Sequence, residues 1–127
     1  MSEKQKTCEE RIDDYYESTM QDMRVFHEDP DGNDETGPFN EYGLSPDLVE
    51  ANTFKDQPEE FIRYQLSTGG PGDEFRFYFN HVGSVHRIEY WFLDWFDGAH
   101  ITLRGEDFDI MNDIFVWNEF HYFAINQ

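Results

Sequence analysis

The chain has a single cysteine, few cations and no long hydrophobic run. Cys8 alone cannot close an internal disulfide, so nothing staples the fold, and this usage fits a reducing compartment. A membrane helix needs about 20 consecutive apolar residues, and no stretch approaches that length. The first residues, MSEKQKTCEER, hold no apolar segment, so neither signal peptide nor anchor is expected and a cytoplasmic location is. Nine Lys and Arg against 28 Asp and Glu leave a formal charge of −19. Such a surface repels nucleic acid and anionic membrane and is drawn to basic surfaces.

Motifs for bound groups are equally scarce. STGGPGD lacks the Lys and the following helix of a phosphate-binding loop, and is better suited to a hairpin turn. Five histidines, His27, His81, His86, His100 and His121, show no HxH or HxxxH spacing, so no metal site is expected; His86 and His100 are taken as exposed strand residues. DPDGNDE resembles the start of a calcium loop, but Asp34 stands where the sixth-position Gly belongs and Asn40 where the twelfth-position Glu belongs. It is taken as a solvated acidic turn. Carboxylates are plentiful at the predicted strand ends (Asp73, Glu74, Glu89, Asp94, Asp97), yet no pair is singled out as catalysis across a sugar would require. Glu9 and Glu10 oppose acidification of the Cys8 thiol. The expectation is a non-enzymatic protein with no cofactor and no metal.

What the chain does have is aromatic residues, at 18%, enough to collapse a globule despite the charge. Its 127 residues suit one domain, residues 1–127, with 1–6 frayed and 27–46 forming an acidic loop. Thr7 and Glu10 have the form of a capping box, and Ile12, Tyr16, Thr19, Met20 and Met23 follow at spacings of three and four. The spacing predicts a helix over 8–24. Phe39, Tyr42 and Leu44 are expected to fasten the loop that follows. Ser45 and Pro46 could open one helical turn.

From Phe61 to Arg104, apolar and polar residues alternate between short Gly-rich turns, the pattern of consecutive antiparallel strands. Four strands are predicted: 61–67, 74–80, 85–96 and 100–104. Arg63, Arg76, Arg87 and Arg104 fall one to a strand and are expected to pair across strands with Glu74, Glu89 or Asp94. Phe108, Met111, Ile114 and Phe115, with a ridge through Trp117 and Phe120, predict a last helix from Glu106 to about Asn118. The fold class is therefore α+β: a four-stranded antiparallel meander with an N-terminal and a C-terminal helix packed on it, a two-layer sandwich.

Acidity is concentrated outside the sheet, with 18 acidic and 5 basic residues before Phe61. On the first helix Glu9, Asp13 and Glu17 recur every four residues, about 6 Å apart, with Glu10 and Asp14 alongside. Asp29, Asp31, Asp34 and Glu35 form a second group in the loop. These nine are the candidate partner-binding residues. A charge of −19 lies far beyond the roughly 2 to 8 units that solubility asks of a small domain.

The text RYQLSTGGPGDEFRFYF followed by HRIEYWFLDWFDGA resembles a group of small, poorly characterised proteins of bacteriophages and other mobile elements. The matching residues are Arg63 to Ser67, Gly69 to Pro71, Asp73 to Arg76 and Asp94 to Gly98; Thr68 stands where that group has Trp. The resemblance covers about half the chain and carries no catalytic residues with it. It implies a setting, since small acidic phage proteins are often antirestriction or anti-CRISPR inhibitors, and it places the protein in the host cytoplasm. Charge and resemblance together give the expectation of a DNA-mimicking inhibitor that covers a basic nucleic-acid-binding site on a host defence enzyme. The alternatives are a small enzyme or ligand-binding domain using the aromatic sheet and its strand-end carboxylates, or an acidic phage protein of structural or regulatory role.

Overall fold

A computed structural model describes residues 7–68, 71–94 and 97–126. Its elements run α1 (Cys8–Glu28), a single 3-10 turn (Phe39–Glu41), β1 (Asp47–Val49), β2 (Phe61–Ser67), β3 (Gly72–Phe79), β4 (Val85–Asp94), β5 (Asp97–Thr102), α2 (Gly105–Trp117) and α3 (Phe120–Ile125). The frayed start expected at 1–6 lies outside the described residues.

The capping box forms as its residues dictate. The Thr7 hydroxyl accepts the Glu10 backbone N–H at 3.2 Å, and the Glu10 carboxylate accepts the Thr7 N–H at 3.3 Å. Beyond it Ile12, Thr19, Met20, Met23 and Phe26 are buried along one stripe. The helix runs a turn past the expected end at Arg24. Phe26 packs edge-on against Phe39 and Tyr42, at 5.2 and 5.0 Å between ring centroids, and that burial holds the extra turn. His27 and Glu28 are thus helical rather than part of the loop. Phe39 and Tyr42 do fasten that loop, the Tyr42 hydroxyl donating to Asp22 at 2.6 Å. Leu44 does so only through its backbone N–H, which donates to the Gln65 carbonyl, while its side chain stays exposed.

The sheet is an antiparallel meander in the order β1-β2-β3-β4-β5. It has five strands rather than four. The fifth is Asp47–Val49, where local signals favoured a helical turn. Asp47 instead accepts both Nε and Nη2 of Arg63, at 3.1 and 2.8 Å, and Val49 packs with Phe61 and Tyr78. Tertiary partners override the local preference. The β4–β5 hairpin is tighter than expected, with Asp94 opposite Asp97, so Asp97 to Ala99 are strand rather than turn. Trp95 and Phe96, and Gly69 and Gly70 of the other turn, lie outside the described residues.

Alternation sends Ile62, Tyr64, Phe75, Phe77, Ile88, Tyr90 and Phe92 into one core with the buried faces of all three helices. The helical layer therefore covers one side of the sheet only. It also contains a third helix that the sequence does not announce. The ridge through Trp117 and Phe120 is not continuous: Trp117 is exposed, and the chain turns at Glu119, a non-glycine residue with φ of 54°. The turn drops Phe120 onto Tyr64, Phe77 and Phe115. Left-handed backbone is strained for a residue with a Cβ. Glu119→Gly is expected to stabilise the protein by roughly 0.5–1 kcal/mol after glycine's extra chain entropy is deducted. A urea midpoint that falls instead would refute the strain.

Polar contacts seat α1 on the far end of the sheet. Asp97 accepts the Cys8 backbone N–H at 2.7 Å, and Arg11 meets Asp94 at 2.6 Å while lying over the Phe92 ring. The Tyr16 hydroxyl and Arg24 share Asp107, at 2.6 and 3.0 Å. The Cys8 N–H, first among its bonds, holds the Asp97 carboxyl below its ordinary range. A group whose folded pKa is depressed stabilises above its unfolded pKa, about 4, and that contribution is lost as pH falls through the lower folded value. Asp97→Asn should therefore flatten this part of the acid-unfolding profile followed by circular dichroism; an unaltered profile would show that the contact contributes nothing. Burial, and then the Asp97 carboxylate, push the Cys8 thiol up. Asp97→Ala should make that thiol label faster with a disulfide reagent.

Candidate functional site

All nine acids singled out in the sequence lie at the surface. Glu9, Asp13 and Glu17 form one line along α1 with Asp14 beside it. Glu10 is exposed too, but it is also half of the capping box and so has a structural duty. In the loop, Asp29 accepts the Asp31 N–H at 2.9 Å, and Asn33 accepts the N–H groups of Glu35 and Thr36. Gly32, at φ of 70°, makes this turn possible: a Cβ there would sit 2.0 Å from the Gly37 carbonyl oxygen. The turn is built by side chain to backbone bonds that leave its carboxylates facing water. Among the described residues no three His, Cys, Asp or Glu side chains converge on a possible metal position.

The two acidic groups do not merge. α1 has 21 residues, so about 30 Å of helix separates its first turn from the loop. They share a lack of compensation. Among the described residues none of the nine joins an ion pair, whereas five of the six arginines do, all with other carboxylates: Arg11 with Asp94, Arg24 with Asp107, Arg63 with Asp47, Arg76 with Glu74, and Arg87 with Glu59 and Glu89. Of the sheet's acids, Asp47, Glu74, Glu89 and Asp94 are matched with arginines, whereas Asp73 and Asp97 meet hydroxyl or backbone donors. The nine are matched by none of the described arginines.

The uncovered sheet face holds a second arrangement that sequence reasoning did not assemble. A groove of about 1080 Å³ lies between the 54–59 loop and strands β2 to β5. On its floor Glu74, Arg76 and Glu89 are only 3%, 7% and 8% exposed. The Arg76 guanidinium lies between the rings of Trp91 and Phe61, at 4.0 and 4.7 Å, and its Nε donates to Glu74 at 2.7 Å. Trp91 donates its indole N–H to Glu89 at 3.0 Å and is stacked by His100 on the next strand. Arg87 lies over Tyr78 at 3.9 Å.

These pairs correct the expected cross-strand scheme. Arg76 with Glu74, and Arg87 with Glu89, run along a strand between residues two apart, and the register places Arg76 opposite Arg63 and Glu89. Asp94 leaves the scheme for Arg11, and Arg104 is the residue preceding α2 rather than a strand member. His86 reaches Glu59 at 3.6 Å beside the irregular start of β4, and does not join His100. Tyr90 points to the helical side, where its hydroxyl donates to Asp73. The alternation of Arg63, Gln65, Glu74, Arg76, Glu89 and Trp91 was the available signal for a charged face on inner strands. The 54–59 segment that completes the groove meets this face through Phe54, 5.4 Å from Arg76, and Glu59, paired with Arg87.

Chemically the two regions differ. The groove matches its three arginines with carboxylates, and Lys55 at its edge is the lining cation that joins no ion pair among the described residues. The acidic faces offer charge that no described cation pairs. No helix among the described residues is long and apolar enough to cross a membrane. No protein-family model, curated protein or solved structure matches the chain.

Proposed function

We propose that the protein is a phage-type inhibitor that binds a basic nucleic-acid-binding surface of a host defence enzyme, a CRISPR effector or a restriction enzyme, by presenting carboxylates where that enzyme expects phosphates. The supporting observation is that, among the described residues, none of the nine outward acids joins an ion pair while five of six arginines are used elsewhere. Duplex DNA presents closely spaced negative charge that proteins meet with Lys and Arg. A rigid helix with a carboxylate about every 6 Å along one line can meet the same cations. It does so without catalysis, cofactor or contact with nucleic acid itself.

The test is phage plating on isogenic hosts carrying a restriction system, a CRISPR system or neither, with and without the protein. Expression should raise plating on one of the defended hosts and leave the undefended host unchanged. The purified enzyme of that system should then lose DNA binding in proportion to added protein, and regain it in high salt. Unchanged plating on every defended host, or inhibition insensitive to salt, counts against the proposal.

A second reading, a ligand-binding or small catalytic domain, is favoured by one observation: Trp91 and Glu89 line a large groove with buried Glu74 and Arg76.

A further inference from the structure

A trough separates the acidic loop from the junction of α2 with α3. Three neighbouring depressions there share Phe39 and Asn118 in their lining. One bank carries Glu28, Asp31 and Glu41, and the other carries Trp117 and Phe123. Trp117 is 58% exposed and Phe123 50%. Large aromatic side chains left in water beside a groove mark contact surfaces more than ordinary monomer surface.

A second observation comes from the floor. The slot at the Leu44 end, about 270 Å³, is lined by Tyr64, whose side chain is almost wholly buried and whose hydroxyl finds no acceptor for its proton among the described residues, the Gly43 backbone N–H beside it being itself a donor. A buried hydroxyl without an acceptor is unfavourable, so an incoming oxygen at this point would be rewarded.

We infer that the trough seats an apolar side chain flanked by Lys or Arg on the surface of a basic protein partner, with an oxygen of that partner accepting from Tyr64. Charge selects this occupant. A second copy would bring the same acid-rimmed bank of a −19 chain against this one, and nucleic acid would bring phosphates against carboxylates. Acids on the rim meet the partner's cations, while aromatic side chains at the centre exclude water around the anchor. The inference rests on the reading of the protein as a binder of basic surfaces and adds an apolar anchor to it.

Two fluorescent peptides of equal charge serve as probes: an amphipathic helical peptide of Leu and Lys, and one of Ser and Lys. By anisotropy the Leu-containing peptide should bind about ten-fold more tightly, the loss expected of one interface anchor. Trp117→Ala with Phe123→Ala should remove that preference and leave the Ser-containing peptide's affinity unchanged. Both side chains are substantially exposed, so the variant should keep the native melting profile. Equal binding of the two peptides, or a preference that survives the substitutions, overturns the anchor and leaves the acidic-surface proposal standing. Failure of both peptides to bind at low salt counts against both. Sedimentation showing a dimer that the same substitutions dissolve overturns the inference by assigning the trough to a second copy.

Discussion

Glu74→Ala should destabilise the protein by about 3–5 kcal/mol, because it strands the Arg76 guanidinium in the sheet face without its counter-charge. The side chains of the pair are only 4% and 9% exposed, so water cannot take over the lost partner. The rings of Trp91 and Phe61 hold the guanidinium in place and prevent it from swinging out. Urea unfolding is the measurement, and a loss below about 1 kcal/mol, the value of an exposed pair, would show that solvent reaches the site. Replacing both residues, Glu74→Met with Arg76→Met, should restore most of the stability, since a buried ion pair and an apolar pair of similar volume are often close in energy.

This double variant also separates the two functional readings. Retained inhibition makes the groove a scaffold that fixes the sheet. Lost inhibition in a variant that still folds makes the groove the site, and the second reading then replaces the first.

Reversal of Glu9, Asp13, Asp14 and Glu17 to Lys should abolish inhibition while leaving the domain folded. Glu10 is left in place because its carboxylate closes the capping box, and losing a cap would confuse a surface effect with a stability effect. Each reversal adds two charges, so four take the formal charge from −19 to −11. Lysines in the first turns oppose the helix dipole, at a cost of a few tenths to about 1 kcal/mol each, which thermal melts will show. The control reverses Glu50, Glu60, Glu106 and Asp109, which are exposed but lie off α1 and its loop. Equal loss in both variants would mean that net charge, rather than this face, governs binding. No loss in the α1 variant removes that helix from the interface.

Local rules carried the reading of α1 and the strand series, where Thr7, Glu10 and the apolar spacing, or strict alternation around Phe75 and Phe77, speak within a few residues of themselves. The exposure of the nine acids was equally legible, because an uninterrupted charged stripe has nowhere to go but water. What stayed hidden depends on partners far along the chain. Asp47 is a strand residue because Arg63 stands opposite it. α3 exists because Glu119 accepts a left-handed conformation that no local pattern requires. The 54–59 segment meets the groove's arginines, Phe54 lying 5.4 Å from Arg76 and Glu59 pairing with Arg87, across a long stretch of chain.

The seating of α1 has a consequence for how the chain is made. Its contacts through Cys8, Arg11, Tyr16 and Arg24 reach Asp97, Asp94 and Asp107, partners 83 to 91 residues downstream. A ribosome delivers the helix first and its dock last, so the native arrangement cannot form until most of the chain has emerged. During that interval the buried stripe of Ile12, Met20, Met23 and Phe26 is uncovered, and the dense negative charge on the opposite side keeps nascent chains apart by mutual repulsion. The same carboxylates proposed to engage a target would thus also protect the chain from aggregation during its synthesis.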